Sequence, residues 1–240
     1  STYIGNYAGF STTTGGLGNT AIGYESLYTS TVSLRNTAIG YQALYTHNLA
    51  STDYGNNTAI GYVALKALTT GMKNTAIGAE ALTDLTEGEL NIGIGYQAGQ
   101  NVTDGDRNIA IGVLALSTDT SGGYNVAIGD YALYTNNASN NTGIGSNAGR
   151  NITSGTNNFF LGAYAGYDLS TTSDNIAIGY SCLRYKGTSA SQNVAIGTQA
   201  LANGQTDDAN GNNTTGNVAI GYRAVGGSFD TTGNGANNCT

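Results

Sequence analysis

A five-residue phrase ending in Ile-Gly, Asn-Thr-Ala-Ile-Gly in its commonest form, recurs thirteen times in a chain of 240 residues. Its glycines are Gly5, Gly23, Gly40, Gly61, Gly78, Gly95, Gly112, Gly129, Gly145, Gly162, Gly179, Gly197 and Gly221, most of them 16 to 18 residues apart, with longer steps of 21 and 24. Self-similarity at so short a period marks a stack in which each repeat buries its apolar face against its neighbours. The pattern predicts one repeat domain over residues 1–240 and not a layered globular core.

The residue before each glycine barely varies. It is Ile4, Ile22, Ile39, Ile60, Ile77, Ile94, Ile111, Ile128, Ile144, Leu161, Ile178, Ile196 and Ile220. A branched aliphatic at every repeat predicts a buried structural core. Two residues earlier the chain places mostly β-branched residues, among them Thr20, Thr37, Thr58, Thr75, Ile109 and Val126, which favour strands. Strand side chains alternate, so these two positions share one face and the residue between them, usually Ala, takes the other. The expectation is that Ile and its β-branched partner point inward, while Ala faces outward and lets another chain approach closely. On that reading Ile111→Asp breaks several adjacent turns by burying an unpaired charge.

Three residues after the glycine stands Ala in most repeats. The next position alternates between Leu (Leu27, Leu44, Leu65, Leu82) and Gly (Gly9, Gly99, Gly149, Gly166). A second short strand fits here, followed by a polar loop back to the next phrase. No apolar set recurs at helical spacing. The predicted fold is all-β: a parallel β-solenoid of about thirteen turns, one ~17-residue repeat per turn, with strands stacked at ~4.8 Å. Twelve repeats open on asparagine: Asn19, Asn36, Asn57, Asn74, Asn91, Asn108, Asn125, Asn141, Asn158, Asn175, Asn193 and Asn217. Stacked turns place these amides above one another as a hydrogen-bonded Asn ladder, a structural role.

Eight basic residues against fifteen acidic ones leave a net charge of −7. Nucleic acid and anionic membrane both require clustered Lys and Arg, so neither is expected as a partner. Only 10% of residues are charged, so solubility rests on neutral Asn, Thr, Ser and Tyr side chains. That composition suits an extracellular fibre. A turn of 17 residues encloses little apolar volume, which predicts association with other copies, as a homotrimer or as a filament. Ser1 fills an Asn position and Asn238-Cys239-Thr240 resembles the opening of another repeat, so the chain is expected to be an excerpt of a longer one. Cys182 occupies an Ala position and reads as a small buried residue, too far along the stack from Cys239 to bridge.

No catalytic, cofactor or metal site is expected. The single histidine, His47, lies in an insertion and reads as a solvated loop residue. Glycoside hydrolysis needs two carboxylates across the scissile bond. The candidate pairs, Glu87 with Glu89, Asp104 with Asp106, Asp168 with Asp174 and Asp207 with Asp208, all lie in loops where a solvated turn suffices. An ice-binding solenoid is disfavoured on the assigned phase, because its Thr column shares a face with the core Ile.

Phrases such as Asn125-Val126-Ala127-Ile128-Gly129 and Asn193-Val194-Ala195-Ile196-Gly197 resemble the Asn-Ser-Val-Ala-Ile-Gly phrase of the YadA-like head repeats in trimeric autotransporter adhesins. Similar repeats occur in the shafts of phage and large-virus tail fibres. The resemblance runs along essentially the whole chain. It implies a left-handed β-roll, three chains side by side, and a rigid projection whose variable loops attach to host glycan or protein. The family's repeat is usually shorter than the one here, and the insertions at 46–56 and 202–216 look more like the fibre-type members.

Overall fold

A computed structural model of the chain describes residues 1–13, 16–49, 54–184, 191–202 and 215–224. Two compact units are described, Ser1–Tyr124 and Asn125–Thr240. In the first, the strands β1 (Thr2–Ile4), β2 (Thr20–Ile22), β3 (Thr37–Ile39), β4 (Thr58–Ile60), β5 (Thr75–Ile77), β6 (Ile92–Ile94) and β7 (Ile109–Ile111) stack in chain order as parallel neighbours. In the second, β8 (Val126–Ile128), β9 (Thr142–Ile144), β10 (Phe159–Leu161), β11 (Ile176–Ile178), β12 (Val194–Ile196) and β13 (Val218–Ile220) do the same. Every pairing joins like positions: Thr20, Ala21 and Ile22 lie beside Thr37, Ala38 and Ile39, and Phe160 lies beside Ala177. The described residues contain no helix. The fold is the all-β parallel solenoid that the repeat predicts, one repeat per turn.

The facing of the strands is the reverse of the expectation. Ala21, Ala38, Ala59, Ala76, Ala127, Ala177 and Ala195, the middle residues of their strands, are wholly buried. Ile22, Ile39, Ile60, Ile94, Ile111, Ile128, Ile144, Ile178 and Ile196 are only half-buried, while Ile77, Leu161 and Ile220 are exposed. None of them belongs to the interior. The reason is the width of the turn. At Gly93, which stands in the alanine position, a Cβ would already lie 2.7 Å from Leu82 Cγ and 3.0 Å from the Ala98 carbonyl oxygen. Where a leucine crowds the strand in this way the inner face has little room beyond a methyl group, and the larger Ile and β-branched side chains stand outside.

Three other columns fill the interior. The alanines three residues past the glycine, such as Ala43, Ala64, Ala81 and Ala132, are wholly buried. Leu27, Leu44, Leu65, Leu116 and Leu133 follow them into the core. Seven residues past the glycine stand Leu68, Leu85, Val102, Ile152 and Leu169, also without exposed surface.

Among the described residues the second strand does not form. Gln42 and Leu44 have φ of 49° and 52°, Val63 and Leu65 both 50°, and the same left-handed alternation runs through the other turns. Such a chain cannot be a strand, yet it still bonds from turn to turn: Leu44 N–H donates to the Ala64 carbonyl at 2.9 Å, and Gln42 N–H to the Tyr24 carbonyl at 2.9 Å. Left-handed leucine costs about 1–2 kcal/mol, which burial of its side chain, worth about 1.5–3 kcal/mol, offsets.

The phrase glycine is required by both conformation and space. Gly95 has φ 130°, and a Cβ on it would lie 2.6 Å from the Gly112 carbonyl oxygen of the next turn. No side chain fits where glycine backbones stack so closely.

Candidate functional site

The predicted asparagines are buried, apart from a half-buried Asn217, and they are linked along the stack. In the first unit, Oδ1 of Asn19, Asn36, Asn57, Asn74 and Asn91 each accepts the main-chain N–H of the next asparagine, ending at Asn108, at 2.8–3.0 Å. In the second, Oδ1 of Asn125, Asn141, Asn158, Asn175 and Asn193 does the same as far as Asn217, at 2.9–3.1 Å. The amide nitrogens bind carbonyls of the following loop: Asn74 donates to Gly88 at 2.8 Å, Asn91 to Gly105 at 2.8 Å and Asn141 to Gly155 at 2.7 Å. The bonded side chains clip one turn to the next, with acceptor and donor used inside the stack; Asn36 Nδ2 is the exception, buried without a hydrogen-bond partner.

His47 is not a solvated loop residue. It stands seven positions after Gly40, in the column of Leu68 and Leu85, and is wholly buried. That spacing is the signal from which its burial could have been read. Its Nε2 lies 3.3 Å from the Gly71 carbonyl and 3.2 Å from Asn57 Nδ2, while Nδ1 has no partner. Burial lowers its pKa to about 4, opposed by the Gly71 hydrogen bond. Cys182 is buried and free, its thiol pushed up to about 12 by burial. Cys239 lies outside the described residues.

Of the carboxylate pairs, Asp168 is held by Arg184 at 3.3 Å, and Asp174 accepts a bond from Asn157 Nδ2 at 3.3 Å. Asp106 Oδ1 accepts the Glu89 main-chain N–H at 2.7 Å, and Asp104 Oδ1 accepts from Thr103 Oγ1 at 3.2 Å. Asp207 and Asp208 lie outside the described residues. Among the described residues no group of three or more His, Cys, Asp or Glu side chains could hold a metal ion. No helix among them is long and apolar enough to cross a membrane.

Two surfaces remain. One is the outer strand face, where Thr20, Thr37, Thr58 and Thr75 form one column and the phrase isoleucines the other. Apolar side chains on it are exposed in each unit: Ile77 is 37% exposed in the first, and Phe159 37%, Leu161 38% and Ile176 40% in the second. The other is aromatic. Tyr24, Tyr41 and Tyr62 stack at 5.4 Å with rings 11° and 14° apart. Phe10, Tyr28 and Tyr45 stack beside them at 5.1 Å, within 6° of parallel. Such separations lie within the favourable range for aromatic pairs, and the strict register of the turns imposes them. In the second unit tyrosines alternate with Arg150 and Arg184 along one column of the stack.

No protein-family model, curated protein or solved structure matches this chain.

Proposed function

We propose that this chain is a length of a non-enzymatic structural and adhesive fibre, carried on a cell surface or a virion, whose copies pack side by side through the outer strand face. The observation that carries the proposal is the outward column of phrase isoleucines, Leu161 in β10, that passes from strand to strand within each unit beside an inner column of mostly buried alanine. A contiguous apolar strip marks an interaction surface. The occupant with the matching period is another copy of the same chain, whose side chains recur at the same strand spacing. The association surface is thus the Ile and β-branched face and not the alanines. Three copies is the number implied by the resemblance to YadA-like head repeats, and the aromatic turns are left to meet host glycan or protein.

Sedimentation equilibrium across a range of concentrations tests this. A closed trimer keeps one mass, and a filament subunit joining end to end grows with concentration. A strict monomer at high concentration would overturn the proposal.

A second reading gains from the reversed facing. The Thr column of β2 to β5 points outward in register, so the phase no longer opposes an ice-binding face. Thermal hysteresis of the purified chain tests that reading, and its absence removes it.

A further inference from the structure

We propose that Arg150, set among tyrosines on the second unit, is the carboxylate-reading centre of a binding site for acidic sugars. This rests on the adhesive reading above and gives its ligand a chemical class.

Arg150 stands five residues past Gly145, and the same position in the turns before and after is Tyr134 and Tyr167. Stacking in register places its guanidinium between them, 5.6 and 5.9 Å from the ring centroids, with Tyr131 closer at 4.7 Å. Nη1 donates to Asn147 Oδ1 at 3.1 Å and to the Tyr167 hydroxyl at 3.4 Å. These contacts occupy both Nη1 protons and hold the plane of the group. A guanidinium has five N–H donors. Nε–H and both Nη2 protons are left without a partner among the described residues, and no carboxylate lies within ion-pair distance.

The next arginine in the column behaves differently. Arg184 also lies over tyrosine rings, at 5.5 Å from Tyr164 and 5.0 Å from Tyr167, but Asp168 pairs with it at 3.3 Å. The same scaffold therefore neutralises one arginine and leaves the charge of the other uncompensated in a half-buried setting.

The free edge of Arg150 is the fork that accepts both oxygens of a carboxylate. Around it, Tyr131, Tyr134 and Tyr167 offer apolar ring surface with hydroxyl rims, which suits a sugar ring that is apolar on one face and polar at its edge. One uncompensated positive charge, with Asp130 and Asp168 in the flanking turns, favours a single carboxylate over a doubly charged phosphate or a run of sulfates. Sialic acids and uronic acids both supply that group.

The test is titration of the whole chain, followed by NMR, with a sialylated trisaccharide against lactose, and with trigalacturonate against its carboxyl-reduced form. Binding of either acidic probe over its neutral counterpart is expected, and the arm that binds identifies the source. Arg150→Gln should weaken it about tenfold or more, the worth of a lost charge-assisted pair. Arg150→Lys keeps the charge without the fork and should fall between. Tyr131→Leu should also weaken it, and Arg35→Gln, at the Arg35–Tyr54 pair of the first unit, should leave it unchanged, each variant first shown to melt like the parent. Equal response to acidic and neutral sugars, no response at all, or an unchanged Arg150→Gln would overturn the proposal. Mass measured on the same samples keeps the two proposals apart: a monomer that binds acidic sugar refutes only the fibre, and an assembly indifferent to acidic sugar refutes only this site.

Discussion

The Phe160 ring fills the space beside Gly166, where a Cβ would lie 2.5 Å from its Cε1. Gly149, one turn earlier, meets the same ring at 2.6 Å. Where the strand's middle residue is Ala127 or Ala38, the position four past the glycine holds Leu133 or Leu44. Where it is Phe160 or Tyr3, that position holds Gly166 or Gly9. Where both are glycine, as at Gly93 with Gly99 and Gly143 with Gly149, Leu82 or Leu133 of the preceding turn fills the space. The interior volume is thus shared between turns as well as within one, and interiors packed to crystal density tolerate neither a surplus nor a gap.

Phe160→Ala should therefore lose about 3–5 kcal/mol of stability. Gly166→Leu alone should also destabilise, by overpacking against the ring. The double variant recreates the pairing of Ala127 with Leu133 and should recover most of the loss. Denaturation of the four proteins in a double-mutant cycle measures the coupling, and simple additivity would show that the two positions do not share a volume.

Asn91→Ala removes the acceptor of the Asn108 N–H and the donor to the Gly105 carbonyl, both at 2.8 Å in a buried setting. Two stranded backbone groups should cost about 2–6 kcal/mol together. Hydrogen exchange at Asn108 should rise strongly. If exchange there is unchanged, the ladder is not what holds those turns.

His47 makes stability depend on pH. The unfolded chain takes up its proton near 6.5 and the folded one only near 4. Between those values the unfolded state binds more protons, so stability falls as pH drops from 6.5 towards 4 and this contribution is flat on either side. The loss amounts to about 3 kcal/mol. His47→Leu, matching Leu68 in the same column, should remove that part of the pH dependence. Denaturant midpoints of parent and variant at pH 7, 5.5 and 4 give the difference, and parallel curves would refute it.

Ala59→Asp and Ile60→Asp separate the two faces of one strand. Ala59 is wholly buried, so a carboxylate there should unfold the surrounding turns, because an unpaired charge in that space costs several kcal/mol. Ile60 is half-buried on the outer face, so its variant should keep the fold and lose side-by-side association. Ile111→Asp belongs with the second kind. Circular dichroism and sedimentation together decide the matter: an Ile60→Asp protein that unfolds like Ala59→Asp would return isoleucine to the interior.

Much of this was legible in the chain. The period gave strand positions, parallel order and register, because each repeat can pair only with its like. The opening asparagines announced their ladder, since an amide repeated at that spacing stacks on itself. His47 lies in an insertion, yet its distance from Gly40 matches that of Leu68 from Gly61, and that spacing, not the insertion, goes with its burial. The Tyr–Arg column was equally present as a spacing of five from the glycine. Its chemistry became visible only once ring-to-cation distances were known.

Sequence alone determined what repeats and at what interval, and hence a solenoid. It left undecided which of two alternating faces looks inward, since period-two alternation is the same for either choice. Hydrophobicity suggested the isoleucines; the tertiary structure chose the alanines. The left-handed leucines and the column seven past the glycine already occupy the interior, and what remains beside the strand admits little more than a methyl group. Available volume, which no single repeat reveals, decided which face of the strand looks inward and so left the phrase isoleucines on the outer face.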